Sequence, residues 1–377
     1  MGNKNKVLLK DICNVITKGT TPSQFSEKGI NFIRIENING LNIDSNFDMF
    51  ISEKIHNTDL KRSILKKNDI LFAIAGATVG KCAIVNEDCL PANTNQALAI
   101  IRLKNNYDSF YIANILASEK MKKYIYLNIS VGAQPNLSLE QIGNFQFYVD
   151  DFATQTKIAT FLNLYYKKIE FQKKKIEQLE KLSFDALFTH KYEGKIYKLE
   201  QVLTEVNDRT TQNNQYEVIS STKTGLYYQK DYFNKEIASE DNSGYKILKL
   251  NQVVISPQNL WLGNINYNDS IEIGIVSPSY KIFNINEGFN KTFISHLLKS
   301  KRAMYDYMIS SEQGASVVRR NLNIELFNEI IFMIPDIETQ NHIAHQLVLI
   351  NNKINLEKQN LEAMEKYKRG LLQQLFV

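Results

Sequence analysis

Cysteine and long apolar runs are scarce in this sequence. Only 3 of its 377 residues are cysteine, which argues against a disulfide-stapled secreted domain and favours free thiols in a reducing compartment. No apolar run approaches the roughly 18 residues that a membrane-spanning helix needs. The first residues lack the Ser or Thr of a myristoylation signal, since Lys6 stands in its place. These absences predict a cytoplasmic protein without a membrane anchor.

A strong excess of one charge is also lacking. The chain has 45 basic and 40 acidic residues, with a net charge of +5. This mild basic bias is compatible with a nucleic-acid partner but does not require one. The hydrophobic content of 44% is ordinary for a globular protein, and the length allows two or three domains with their own cores.

Recognisable catalytic signatures are missing as well. The Gly76–Lys81 run resembles a phosphate-binding loop, but three residues separate its glycines and Cys82 stands where Ser or Thr is required. His342 and His345 have no cluster of cysteines or carboxylates beside them, so we predict no metal site. The sequence therefore predicts no catalytic residue. A glycine-hinged turn that presents Lys81 to a phosphate is the better interpretation of the loop.

What the sequence does have is an internal duplication. Residues 148–192 and 333–377 align without a gap, with Thr154-Gln155 opposite Thr339-Gln340, 185 residues further on. In both copies apolar residues recur at alternating steps of four and three, which is typical of a long helix with a narrow apolar seam. We therefore predict two long helices, N-capped by Asp151 and Asp336, that form an antiparallel coiled coil.

The segments before the two helices correspond more loosely. Short β-rich runs such as Ile70–Ile74 and Ala97–Leu103 lie among Gly, Asn and Pro, and Phe110–Tyr126 and Thr292–Ser310 have the pattern of amphipathic helices. The predicted fold class is therefore α+β, as two pseudo-repeated domains that are each followed by a long helix. The predicted bounds are 1–150 for the first domain, 151–192 for its helix, 193–335 for the second domain and 336–377 for its helix.

The shared framework with divergent loops favours two recognition domains of one design that bind different targets. Candidate contacts to DNA are amides, hydroxyls and cations in loops and at strand ends, since such groups bind phosphates and base edges. They are Lys18, Thr20, Thr21, Arg34, Asn37, Lys81, Gln134 and Asn136 in the first domain, and Arg209, Asn264, Arg319 and Arg320 in the second. For Trp261, core packing is the preferred interpretation over base contact.

Taken together, these features resemble the specificity (S) subunits of type I restriction-modification systems. The resemblance covers the whole chain and rests on Gly19-Thr20-Thr21-Pro22, Asn68–Leu71 leading to Gly80–Val85, Asn95-Gln96, Ser277–Tyr280, Ile334-Pro335 and the closing Lys368–Phe376. Two positions depart from the family pattern. The usual Glu-Gln at the helix start is Thr-Gln in both copies, and Asp150 stands where proline is typical.

The resemblance implies a non-catalytic DNA-recognition subunit with a role in phage defence. Each recognition domain would read one half of a bipartite site in double-stranded DNA, and the helices would space the domains and dock two methyltransferase subunits. Restriction subunits would join through the methyltransferase complex. No cofactor is expected in this chain, because S-adenosylmethionine, ATP and magnesium would bind the partner subunits. A helix of roughly 37 residues, about 55 Å long, would span about 16 base pairs.

Two other functions stay open at the level of sequence. One is a nucleotide-hydrolysing or nuclease enzyme that uses the Gly76–Lys81 loop. The other is a coiled-coil scaffold or inhibitor without a nucleic-acid role, whose affinity for duplex DNA would not fall steeply with salt as phosphate contacts require.

Overall fold

In a computed structural model of the chain, the described residues are 4–128, 136–185, 192–232, 241–313 and 320–376. Contacts divide the chain into two compact units. Unit 1 comprises Met1–Lys173 and Gln359–Val377, and unit 2 comprises Lys174–Lys358. Each unit thus combines one β-rich domain with parts of both long helices, so the unit limits do not coincide with the predicted domain bounds. Among the described residues no helix is long and apolar enough to cross a membrane.

The first half of the chain contains eleven strands and six helices within its described residues. The strands are β1 Asn5–Leu8, β2 Cys13–Lys18, β3 Ile30–Ile33, β4 Ile38–Asn39, β5 Asn42–Ile43, β6 Phe50–Ile51, β7 Ile70–Ala73, β8 Cys82–Ile84, β9 Ala92–Thr94, β10 Leu98–Leu103 and β11 Gln146–Val149. The helices are α1 Leu9–Ile12, α2 Glu53–Asn57, α3 Ser109–Leu116, α4 Glu119–Asn128, α5 Leu139–Gly143 and α6 Phe152–Asp185.

The second half contains twelve strands and six helices within its described residues. Its strands are β12 Lys195–Lys198, β13 Leu203–Val206, β14 Ile219–Thr222, β15 Gly225–Tyr228, β16 Lys246–Lys249, β17 Gln252–Ile255, β18 Ile265–Tyr267, β19 Ile273–Val276, β20 Lys281–Ile285, β21 Ser311–Gln313, β22 Arg320–Leu322 and β23 Ile331–Ile334. Its helices are α7 Leu199–Val202, α8 Gln229–Tyr232, α9 Lys291–Leu297, α10 Lys301–Ile309, α11 Ile324–Asn328 and α12 Ile337–Leu375.

The same four-stranded antiparallel sheet lies at the centre of both domains. Its strand order is β2-β10-β7-β8 in unit 1 and β13-β20-β17-β18 in unit 2. The turn before β7 in unit 1 repeats before β17 in unit 2. Asn68 and Asn251 in these turns have φ of 68° and 67°, a left-handed conformation that Asn tolerates better than most residues. Gly80 and Gly263 share a φ of 91°. The predicted α+β class and the duplication are thereby confirmed.

Each long helix starts with the same set of hydrogen bonds. The carboxylates of Asp151 and Asp336 accept from the backbone N–H groups of Thr154 and Thr339 at 3.0 and 2.9 Å. Hydrogen bonds from Thr154 lower the pKa of Asp151, and those from Thr339 lower the pKa of Asp336. The predicted N-caps are therefore present in both copies.

The glutamine that follows each threonine fixes the helix to its domain. Buried Gln155 donates to the Asp150 carbonyl at 2.8 Å and accepts from the Asp108 N–H at 3.1 Å. Gln340 donates to the Pro335 carbonyl and accepts from the Asn290 N–H, both at 2.8 Å. Both glutamines donate to a backbone carbonyl, of Asp150 in one copy and Pro335 in the other. The side chain at that position can therefore differ between the copies, while the glutamine is kept.

The predicted apolar seam packs within each unit. In unit 1, Leu162 and Ile169 of α6 are buried, the Tyr165 hydroxyl donates to the Met364 carbonyl at 3.0 Å, and Lys173 pairs with Glu365 at 2.9 Å. In unit 2 the buried seam residues include Ile176, Leu347 and Ile354. Each described seam position is buried or half-buried, while the last predicted position of the first copy, Ala186, lies outside the described residues.

The contacts in unit 2 also give the direction of the helices. Lys175 pairs with Glu357 at 2.7 Å, whereas Ser183, further along α6, donates to Asn351, earlier in α12, at 3.4 Å. The helix segments therefore run antiparallel, as predicted. Glu357 is a polar residue at a seam position of α12, and it is 4% exposed. A second lysine, Lys353, lies 2.9 Å from its carboxylate. Two ammonium groups thus compensate this buried carboxylate.

The predicted amphipathic helices Phe110–Tyr126 and Thr292–Ser310 are each two helices, a correction to the sequence analysis. The break comes at Ser118 and Ser300, whose hydroxyls accept from the N–H groups three residues later at 3.2 and 3.0 Å. A serine in the middle of an apolar pattern can cap a new helix and so ends the previous one. Because both copies break at the same place, the kink belongs to the shared framework.

Candidate nucleic-acid interface

The registers of the unit 1 sheet bring several predicted DNA contacts to one end of the strands. Lys18 pairs with Ala99 at the start of β10, and Ala73 at the end of β7 pairs with Leu98. The loops after β2 and β7 and the loop before β10 must therefore leave the sheet at the same end. We call this end, formed by residues 18–22, 75–81, 95–97 and 136, loop edge 1.

The loop after β2 is attached to the loop before β10 by backbone hydrogen bonds. The Gly19 N–H donates to the Leu98 carbonyl at 3.1 Å, and the Thr20 N–H donates to the Thr94 carbonyl at 3.0 Å. The Thr21 hydroxyl donates to Gln96, and the Arg62 guanidinium donates to the Thr20 hydroxyl at 3.3 Å. Two predicted contact residues, Thr20 and Thr21, are thus held beside a cation and an amide.

We predict that Gly19→Ala destabilises unit 1 by about 1–3 kcal/mol, the usual cost of overpacking. A Cβ at Gly19 would lie 2.1 Å from the carbonyl oxygens of both Thr94 and Asn95, and backbone atoms on both sides prevent easy relief. Urea unfolding of the full chain measures the loss. Gly370→Ala is the control, since Gly370 lies in α12 with open space around it, and we expect it to stabilise by up to about 1 kcal/mol. Equal effects at the two glycines would contradict the steric argument.

The Gly76–Lys81 run is a turn between two antiparallel strands, β7 and β8. Gly76 and Gly80 have φ of 78° and 91°, conformations that favour glycine. The Lys81 side chain is exposed. Asn136 forms an isolated antiparallel β-bridge with Ala75, the residue before Gly76. A phosphate-binding loop leads from a strand into a helix, so this geometry supports a turn that presents a lysine and not a nucleotide site.

Unit 2 forms a corresponding loop edge 2 from residues 207–211, 256–264, 277–280 and 320. Val206 faces Ile282 at the end of β13, and Ile255 faces both Lys281 and Ile265. Exposed Arg209 forms an isolated backbone β-bridge with Lys246, and its guanidinium donates to the Gly244 carbonyl at 3.0 Å. Burial lowers the pKa of Lys246.

Two predicted contacts of unit 1 have partners within the protein. Arg34 donates to both carboxylate oxygens of Asp48, at 3.1 and 2.9 Å. Asn37 is 7% exposed, and its side-chain oxygen accepts from the Arg34 N–H at 2.9 Å. These contacts stabilise the turn that follows β3. A DNA contact by either residue stays a prediction that this geometry does not favour.

Two predicted contacts of unit 2 are also engaged. Asn264 is 8% exposed and exchanges hydrogen bonds with Ser221 at 2.7 and 2.9 Å. Arg320 donates to the Ser311 hydroxyl at 2.8 Å, and its guanidinium lies 5.9 Å from the ring centre of half-buried Trp261. Arg320 therefore links the β21-β22 pair to the loop after β17. Half-buried Trp261 belongs to no core cluster of the described residues, so the choice between core packing and base contact stays a prediction.

Not every residue at loop edge 1 was expected from the sequence. Arg62 reaches the edge from the turn before β7, and in the sequence only its neighbour Lys61 hints at a basic site. Gln96 carried part of the family resemblance but was not predicted as a contact. Gln134 and Arg319 lie outside the described residues. Lys18, Thr20, Thr21, Lys81 and Asn136 are brought together, and their role in DNA contact stays a prediction.

Sequence comparisons relate the chain to DNA specificity proteins. The family model for the type I restriction modification DNA specificity domain matches residues 1–181. The EcoBI specificity subunit of Escherichia coli is 32% identical over 126 residues, which are 33% of this chain and 26% of that protein. A putative MjaX specificity subunit of Methanocaldococcus jannaschii is 23% identical over an alignment of 403 positions, covering 97% of this chain and 90% of its own. Residues 1–181 therefore match a type I DNA specificity domain, and the chain as a whole is similar to specificity subunits.

Solved structures show the same fold. The S subunit of a type I system from M. genitalium has 14% identity, covers 100% of this chain and 96% of its own, and gives a TM-score of 0.58. A chain from a study of complex assembly and conformational transition of a type I system gives 0.59, at 11% identity, with 99% and 97% covered. The duplicated domains and helices of this chain are therefore the architecture of those proteins. The alignment with the E. coli relative spans about a quarter of that protein's length.

Proposed function

We propose that this chain is the S subunit of a type I restriction-modification system and reads a bipartite sequence in double-stranded DNA, one half with loop edge 1 and the other half with loop edge 2. The observation that carries the proposal is a repeated sheet whose loops differ. The left-handed Asn and Gly positions match between the copies, whereas exposed Lys81 at one edge corresponds to buried Asn264 at the other. Equal frameworks with unequal polar edges suit two half-sites of different sequence.

Loop edge 1 has the chemistry that DNA requires. Lys18, Arg62 and Lys81 are exposed cations that can contact phosphates. Thr21 and Gln96 supply a hydroxyl and an amide beside them, and such groups can read base edges. The cations would position the duplex, and the polar groups between them would select its bases.

The test is binding of the S subunit, purified with its methyltransferase partner, to duplexes in which either half of the site is randomised. We expect Gln96→Ala to relax preference in one half alone, by about 1–3 kcal/mol per base pair affected. Ser277→Ala, on the corresponding loop of unit 2, is the matched variant and should relax the other half. Lys81→Ala should weaken all duplexes and reduce the salt slope by about one. Loss of preference in both halves from Gln96→Ala would contradict the division into half-sites.

We also infer that the long helices dock two methyltransferase subunits, which would bring S-adenosylmethionine, with restriction subunits that use ATP and magnesium joining through them. Large apolar side chains are exposed at matching positions of both units. In unit 1 they are Leu164 62%, Phe171 70% and Tyr367 58%, and in unit 2 they are Leu349 54%, Leu356 49% and Leu182 53%. Exposed apolar patches of this kind mark protein interfaces. Two equivalent faces suit two copies of one partner.

Each face should hold one partner. We expect Leu164→Asp to lower the stoichiometry from two methyltransferase subunits to one, and Leu349→Asp to do the same, because either variant places a charge in an apolar contact. Native mass spectrometry of the copurified complex measures the ratio. Thr160→Asp and His345→Asp, exposed polar positions of the same helices, are the controls and should retain two. Retention of both partners in the Leu164→Asp/Leu349→Asp double variant would place the docking face elsewhere.

A further inference from the structure

We propose that unit 1 carries a second anion site, a groove for phosphate groups that lies away from loop edge 1. The groove has a volume of about 920 Å³ and is lined by Asn68, Lys104 and the side of α6 at Lys167. It opens where β7 begins and β10 ends, since Ile70 pairs with Ile101. This is the opposite end of the sheet from the recognition loops. Its ligand would therefore be separate from the bases that loop edge 1 reads.

The groove lining is rich in cations and amides. Lys66, Lys67, Lys104 and Lys167 are exposed on it, and so are the amide side chains of Asn86, Asn105 and Asn163. Lys67 is paired with Glu87 at 2.8 Å, whereas Lys66, Lys104 and Lys167 form no ion pair within the described part of unit 1. An ammonium group binds phosphate as a point charge, and amide N–H groups add directed hydrogen bonds.

The acidic residues of the groove do not cancel this charge. Asp69 is fully buried and forms two bonds of 2.7 Å with Arg102. Asp108 caps α3 by accepting from the Tyr111 N–H at 2.9 Å. Asp88 is exposed on the lining and Asp108 is half-buried there, so these two carboxylates stand against the three lysines Lys66, Lys104 and Lys167. The groove is thus basic overall.

The corresponding groove of unit 2 provides an internal comparison. It measures about 680 Å³ and is lined at matching positions, with Tyr267 for Ile84, Asp269 for Asn86, Thr292 for Phe110 and Asn352 for Lys167. Unit 2 thus has the amide of Asn352 where unit 1 has Lys167, and the carboxylate of Asp269 where unit 1 has the amide of Asn86. The groove itself belongs to the framework, whereas its positive charge is confined to unit 1.

The framework does not need that charge. Lys104 donates to the Asp11 carbonyl at 2.6 Å, and its counterpart Asn286 donates to the Gln201 carbonyl at 3.0 Å. An asparagine therefore makes the same structural contact without an ammonium group. Since neither packing nor this hydrogen bond requires a cation at these positions, we attribute the cations to an anionic ligand. The chemistry fits phosphate, which can come from a nucleotide or from a nucleic-acid backbone.

The test compares the full-length protein with the Lys104→Asn/Lys167→Asn variant, which installs the residues of unit 2. Pyrophosphate, ATP and a short duplex without the recognition site are titrated separately by calorimetry. We expect the wild type to bind a phosphate probe and the variant to bind it at least about tenfold more weakly. Lys28→Asn/Lys54→Asn, at exposed positions elsewhere in unit 1, changes the net charge equally and should retain binding. Binding of ATP and pyrophosphate would identify a nucleotide as the source, and binding of the duplex alone would identify a nucleic-acid backbone.

Three results would overturn the proposal. One is the absence of binding by all three probes at millimolar concentration, and another is an equal loss in the control variant. The third is selective binding of an acidic peptide, which would make the groove a protein contact. A failure of half-site reading leaves all three results unaffected, since that reading depends on loop edges 1 and 2.

Discussion

Replacing Arg102 with asparagine should destabilise the protein by about 3–5 kcal/mol, the usual cost of breaking a buried ion pair. Asp69 has no exposed surface, and the Arg102 guanidinium binds both of its oxygens at 2.7 Å. The same hydrogen bonds raise the pKa of Arg102. Without the guanidinium, the carboxylate would keep the Lys66 N–H at 2.8 Å but lose its counter-charge. Urea unfolding of the full chain with unit 1 probes measures the loss.

Unit 2 indicates a second substitution that should restore the stability lost in this variant. At the corresponding place in unit 2, Gln252 donates to Asn284 at 2.9 Å and accepts from the Lys249 N–H at 2.8 Å. A neutral amide pair therefore fulfils the same role. Asp69→Gln/Arg102→Asn should recover most of the lost stability, with a coupling free energy of at least about 1.5 kcal/mol in the double-mutant cycle. Additive losses would show that the two side chains act independently.

Sequence reasoning predicted the parts of this fold that depend on local spacing. The seam was visible because Leu162 and Ile169, like Leu347 and Ile354, recur at coiled-coil intervals, and all four are buried. A helix needs only such a periodic stripe to specify its packing face. The N-caps were equally local, since each carboxylate binds a residue three positions later.

The candidate site was harder to predict because its decisive partners are distant in sequence. The bond between Asn264 and Ser221 spans 43 residues, and that between Arg102 and Asp69 spans 33. Because such distant partners cannot be inferred from the sequence, it gave no sign that Asn264 and Arg320 are held within the protein; their contact with DNA stays a prediction. The strand registers, which sequence could not supply, were what gathered Lys18 and Lys81 at one edge.

The duplication makes a second strong prediction, which concerns the distance between the half-sites. If the helices act as a ruler, seven residues added to each should lengthen the preferred DNA spacer by about three base pairs, because a heptad adds about 10 Å of helix and one base pair rises 3.4 Å. The natural insertion points are after Lys173 and Lys358, where the chain passes from one unit to the other. We expect the original spacing to be bound at least about tenfold more weakly. Binding to a series of duplexes with different spacers measures the preference.

The heptad must be repeated in both helices, since only then does every seam residue meet its antiparallel partner. Repeating residues 167–173 and 352–358 preserves the seam through Ile169 and Ile354, both buried. An insertion in α6 alone offsets the partners on one side, so it should weaken binding at every spacing. Four residues added to both helices rotate the seam by about 40°, whereas a heptad rotates it by only about 20°. The four-residue variant should therefore also bind weakly at every spacing. If the symmetric heptad variant keeps the original spacer, the spacing is set by the domains, and the helices serve only to dock partners.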